Sequence, residues 1–225
     1  VGQNYTNLGN FEQGNSTIIF NGIAGNYTIE QGSGDFYNFE INSGATYMLN
    51  SNLNVSNNVG LITGTLNTNG FNIYFGGNWQ NTGATFVAGT RTVYYNGTGT
   101  GFVNNGASSF YNFNITGTGY LRLQNNIIIN NQFSQSAGSF DLSPDDGVTS
   151  YNLTTGNRLA VSAGTLYGRG STITVGENWA FTGSSVFNCG TSTIIMAAGS
   201  GTKSISPKGQ QFNNLTINAG GTYNL

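Results

Sequence analysis

Three stretches of the chain repeat one another. Val1-Gly2-Gln3-Asn4-Tyr5 matches Phe75-Gly76-Gly77-Asn78-Trp79 and Val175-Gly176-Glu177-Asn178-Trp179. A Phe-x-x-Gly turn follows at Phe11, Phe86 and Phe187. Then Phe36-Tyr37-Asn38-Phe39-Glu40-Ile41 matches Phe110-Tyr111-Asn112-Phe113-Asn114-Ile115 and Phe212-Asn213-Asn214-Leu215-Thr216-Ile217. Each copy closes at Leu49, Leu123 or Leu225, which defines modules 1–49, 75–123 and 175–225. A chain that repeats at this length is built from stacked supersecondary units that share one continuous core.

The spacers suggest the size of the unit. Residues 50–74 form a short spacer and 124–174 one about twice as long. Gly64-Thr65-Leu66 before Gly70 recurs as Gly164-Thr165-Leu166 before Gly170. A quantum near 25 residues predicts one turn of a parallel β-solenoid, because inserting a whole turn leaves the other strands in phase. The expectation is a single all-β domain over 1–225, a right-handed parallel β-helix of about nine coils. The local pattern agrees. Short β-branched and aromatic runs such as Thr17-Ile18-Ile19-Phe20 and Thr172-Ile173-Thr174-Val175 alternate with Gly, Asn and Ser turns. No stretch carries a 3.6-residue apolar stripe.

Composition fits this architecture. Asn and Gly number 35 each, Thr 27 and Ser 20, about half the chain. In a solenoid like side chains stack from coil to coil, so charges are disfavoured while Asn ladders and Gly corners are favoured. Only 14 residues are charged, for a net charge of −2, yet 37% are hydrophobic, enough for a core. Six scattered basic residues give no footprint for nucleic acid, and no apolar run approaches membrane-spanning length. The sequence reads as a secreted product with its leader removed. The lone Cys189 supplies no disulfide framework.

The motifs Phe-Tyr-Asn-Phe-x-Ile, Ser-Gly-x-Thr-Tyr-x-Leu and Gly-Gly-Asn-Trp resemble the β-helical repeat regions of large secreted prokaryotic cell-surface proteins, adhesin-like and autotransporter-passenger-like. The resemblance implies a cell-surface structural or adhesive role and carries over no catalytic motif or cofactor.

Self-association is the leading functional expectation. Val1 begins inside the repeat grammar and Leu225 stops at the module position of Leu49 and Leu123. Joining one subunit's Leu225 to the next subunit's Val1 continues the spacer series with no intervening coil. The expected edges are Val1, Gly2, Asn4 and Tyr5 at one end, and Thr222, Tyr223 and Leu225 at the other. A head-to-tail homopolymer, as filament or sheath, follows.

Other classes find less support. Without His, neither a Ser-His-Asp triad nor an imidazole metal site is available, and an enzyme is not expected. Asp141, Asp145 and Asp146 form a weak Ca²⁺ candidate, and with Arg158 and Arg169 a weaker polysaccharide-lyase one. Trp79, Trp179 and Tyr5 share one module position, which suits the core or a stacking ladder; exposed there, the aromatics would instead serve an adhesin that stacks on surface glycans. Thr-x-Thr pairs at Thr63, Thr90, Thr98, Thr116, Thr172 and Thr191 raise ice binding, but their spacing is irregular. Asn-x-Ser/Thr sequons at Asn4, Asn15, Asn26, Asn54, Asn96, Asn114, Asn152 and Asn214 are possible glycan attachment points, about as many as chance places.

Overall fold

The structure, a computed structural model, describes residues 1–144, 148–218 and 220–225. The described residues contain strands and no helix, and therefore no helix long and apolar enough to cross a membrane. Every pairing between named strands is parallel. The chain is a β-solenoid of about 11 turns.

Each turn visits three faces in the same order. Face I carries the inward ladder Ile18, Phe39, Val59, Trp79, Val103 and Leu123. Face II begins with Tyr5, Ile29 and Leu49, and in later turns carries Ile127, Leu153, Ile173, Ile194 and Leu215. Face III carries Leu53, Ile73, Val93, Phe113, Phe133, Leu159 and Trp179. Long strands round a corner and join two faces. Asn38–Leu49 pairs through Asn38 to Ile41 with Thr17–Phe20, and through Thr46 to Leu49 with Asn26–Glu30. The faces therefore merge into one 12-stranded and one 13-stranded sheet.

The ladders correct the expected turn length. Leu53, Ile73, Val93, Phe113 and Phe133 are successive register partners, a step of 20 residues. Longer steps occur at Tyr5↔Ile29, Val103↔Trp79, Phe133↔Leu159 and Trp179↔Ile205. The 25-residue quantum fails because successive modules start on different faces. Tyr5 lies on face II, Trp79 on face I and Trp179 on face III. Phe39, Phe113 and Leu215 likewise fall on faces I, III and II. The repeated unit is thus displaced by one face per copy. Three corners of similar chemistry can each receive the same turn sequence, so a module need not span whole turns.

The core is the space between the three inward ladders. Alternation along each strand puts one residue in and the next out, as in Ile73 in, Tyr74 out and Phe75 in. Burial of each large apolar side chain contributes roughly 1.5–3 kcal/mol. Asparagine closes the corners, where backbone N–H groups leave the sheet ladder. Asn52 Oδ1 accepts from Asn72 N at 3.0 Å, and Asn72 Oδ1 accepts from Thr92 N at 3.1 Å. Asn126, Asn152 and Thr172 repeat the relay at 2.8 Å per step. At the corner between faces III and I, the constraint is room. A Cβ on Gly97 would lie 1.9 Å from Gly76 O, and one on Gly117 2.1 Å from Gly97 O. Only glycine allows those turns to stack so closely.

Candidate functional site

The module motif assembles inside the solenoid. In the second copy Trp79 meets Phe86 and Phe110 edge-on at 5.1 and 5.3 Å. In the third Trp179 meets Phe187 and Phe212 at 5.1 and 5.2 Å. In the first Tyr5 packs on Phe36 at 5.5 Å, with Phe11 on the same ring at 5.8 Å. These edge-to-face contacts match the aromatic quadrupoles. The motif asparagine also has one role throughout. Asn4, Asn78 and Asn178 accept from the backbone N–H groups of Thr28, Phe102 and Ser204 at 2.9, 3.0 and 2.9 Å. Each bridges into one of the lengthened turns.

This placement agrees with the core reading of the module aromatics and goes against the sugar-stacking alternative. Trp79 and Trp179 are 0% exposed and Tyr5 is partly buried. The repeated motif builds three internal knots. The Thr-x-Thr pairs do not form a flat array. Thr172 is the register partner of Thr193, but Thr174 faces Ile195, so the two pairs are offset.

The main charged cluster lies on face I and spans three turns. Asp141 accepts from Arg169 Nε at 2.9 Å and Arg169 Nη2 at 2.5 Å, from Ser143 Oγ at 2.9 Å, and from the Tyr120 hydroxyl. The Asp141 side chain is 3% exposed and that of Arg169 47%. Burial alone would raise the Asp141 carboxyl, but hydrogen bonds from Arg169, Tyr120 and Ser143 outweigh it and hold the group below the ordinary carboxylate range. Arg169 is raised, chiefly by its bond to Asp141. Tyr120 is raised by burial and then by its bond to Asp141. Arg169 also lies over the Tyr167 ring at 5.1 Å, and Arg122 over Tyr120 at 4.9 Å.

The lone pairs of Asp141 are therefore committed to protein donors. Asp145 and Asp146, the other members of the Ca²⁺ candidate, lie outside the described residues. Among the described residues no group of three His, Cys, Asp or Glu side chains is placed to hold a metal. The sequence anticipated the approach of Arg169 to Asp141 but missed Tyr120. Arg158 is separate, exposed on face III. A tyrosine raised in pKa and a carboxylate fully hydrogen-bonded describe a structural clamp more than an acid–base pair.

The edge residues are tied into the first and last turns. The Val1 ammonium donates to Ile19 O at 2.6 Å, and the Tyr47 hydroxyl donates to Val1 O at 3.0 Å. Gly2 is exposed, and Tyr5 pairs with Ile29. Thr222 and Tyr223 pair with Thr202 and Lys203, the Tyr223 hydroxyl accepts from Ala198 N at 3.0 Å, and Leu225 is exposed. Of the sequons, Asn54 and Asn114 are half-buried and the other six exposed, but Asn4 and Asn152 already serve corner bonds. Cys189 is a half-buried free thiol.

The fold and its surfaces thus define a three-faced parallel β-solenoid with internal aromatic knots. Compared with protein-family models, with curated proteins and with solved structures, the chain matches none.

Proposed function

We propose that the chain is a structural subunit of an extracellular surface assembly, extended end to end through its solenoid edges into a filament or sheath. The observation that supports this reading is the parallel ladder itself: successive turns present the same inward positions in register, as Leu53, Ile73, Val93, Phe113 and Phe133 do on face III, so each turn offers its backbone groups and apolar positions to the next. Unpaired parallel edges with apolar ladder positions are templates for another coil. A second copy placed in register satisfies both the backbone groups and the apolar side chains. The extracellular location, the kinship with adhesin-like surface regions and the absence of a catalytic role belong to the same proposal.

Electron microscopy of the purified chain over rising concentration tests it. Rods that lengthen with concentration are the expected result, and a Leu215→Lys/Ile217→Lys variant should shorten them. Dispersed single particles at high concentration would defeat the proposal.

A further inference from the structure

Face III carries a trough that the module motif does not explain. Its outward central column runs Asn54, Tyr74, Tyr94, Asn114, Ser134, Ala160 and Ala180 through successive register pairs. The side chains shrink along this line from tyrosine to alanine. The flanking columns do not shrink: Gln132 and Arg158 stand on one side, Ser162 and Thr182 on the other. The result is a groove of about 240 Å³ floored by Ser134, Ala160 and Ala180.

Alanine is a poor choice for an exposed strand on stability grounds, where β-branched residues are favoured. The equivalent outward positions on face II, Thr154 and Thr174, use threonine. Two adjacent alanines on face III therefore give up strand propensity without gaining core packing, as functional surfaces do.

The chemistry of the walls identifies an occupant. Arg158 is exposed, with no side-chain hydrogen bond or ion pair to another described residue. Among the described residues, no acidic side chain lines the groove. In a chain with only six basic residues, an uncompensated guanidinium beside hydroxyls and amides suits a carboxylate among hydroxyls. The trough runs along the solenoid axis, since its floor residues are register partners roughly 4.8 Å apart. It therefore fits an extended polymer better than a compact ligand. At its head Tyr74 and Tyr94 stack at 4.6 Å with an interplanar angle of 7°, partly exposed, and offer an aromatic platform in the same column.

We infer that face III is a binding groove for an acidic polysaccharide, with Arg158 receiving a sugar carboxylate and the chain lying over Ala160 and Ala180. This goes beyond the scaffold role and is independent of stacking, because binding is read per chain.

The test is titration of the purified chain with polygalacturonate and, in parallel, with neutral dextran, at low salt and at high salt. Expected is saturable binding of polygalacturonate that weakens with salt, and at least tenfold weaker binding of dextran. Arg158→Gln should weaken the acidic polymer at least fivefold, and Ala160→Trp should block it by filling the trough. Circular dichroism and the thermal midpoint check that each variant is folded. Should Ala160→Trp fail to fold, Ala180→Gln takes its place. Absence of polygalacturonate binding, equal binding of dextran, or binding that survives both substitutions would overturn the inference.

Discussion

The two buried tryptophans occupy equivalent module positions but differ in one hydrogen bond, and their replacement by phenylalanine measures it. Trp79 Nε1 donates to Asn105 Oδ1 at 2.9 Å, and Asn105 is 0% exposed. Trp179 Nε1 is buried without a partner. The cause is visible in the register. Val103 is the partner of Trp79 and Ile205 of Trp179, so Pro207 stands where Asn105 would be. Trp79→Phe leaves a buried amide oxygen unsatisfied, at about 1–3 kcal/mol beyond the cavity term. Trp179→Phe makes a similar cavity but deletes an orphaned donor, which offsets about 1–3 kcal/mol. The first variant should therefore be less stable than the second by about 2–6 kcal/mol. Urea unfolding followed by circular dichroism reads the difference. Phe86→Leu and Phe187→Leu serve as a reference pair for any difference in stability between the two turns. Adding Asn105→Leu to Trp79→Phe should recover part of the loss. Variants equal within about 0.5 kcal/mol after that correction would refute the reasoning, since surface-like changes alone produce so little.

Other outcomes follow from the corners and the clamp. Gly117→Ala places a methyl group 2.1 Å from Gly97 O and 2.5 Å from Gly97 N, so the backbone must move; a loss of about 1–3 kcal/mol or more is expected, against near-neutrality for Gly199→Ala, where a Cβ meets nothing within 4 Å. Asn78→Ala removes the acceptor for Phe102 N and should cost about 1 kcal/mol, read by faster hydrogen exchange at that amide. The Asp141 carboxyl is lowered in the folded state, so its contribution is complete above the unfolded value and fades as pH falls through the folded one. Asp141→Asn should therefore cost about 2 kcal/mol at neutral pH and progressively less in acid, a convergence that paired thermal melts detect.

How far the sequence could be read depended on whether a feature was local. Strand and turn identity is local, and Thr17 to Phe20, Ile73 to Phe75 and Thr172 to Val175 are strands as their alternation indicates. Turn length is not local. Matching Trp79 to Trp179 assumed that equivalent motifs sit on one face, whereas corners of similar chemistry let the same words recur on all three. The face of each tryptophan is hidden for the same reason: a repeated aromatic suits the core, but only the register says which ladder it joins. The Tyr120, Asp141 and Arg169 clamp joins residues from separate turns, and only the stacking phase brings them together. The groove on face III was invisible because alanine carries no motif; its signal is a contrast with the residues above it.

The displacement of the modules by one face per copy has a mechanical consequence. The aromatic knots brace the rod across its core, and their leading residues Tyr5, Trp79 and Trp179 fall on faces II, I and III in turn. Had they stacked along one face, that side would resist compression more than the others, and the rod would bend away from it under load. Distributed as they are, they favour no single face, and a filament built from such units should show the same flexural stiffness whichever way it is pushed.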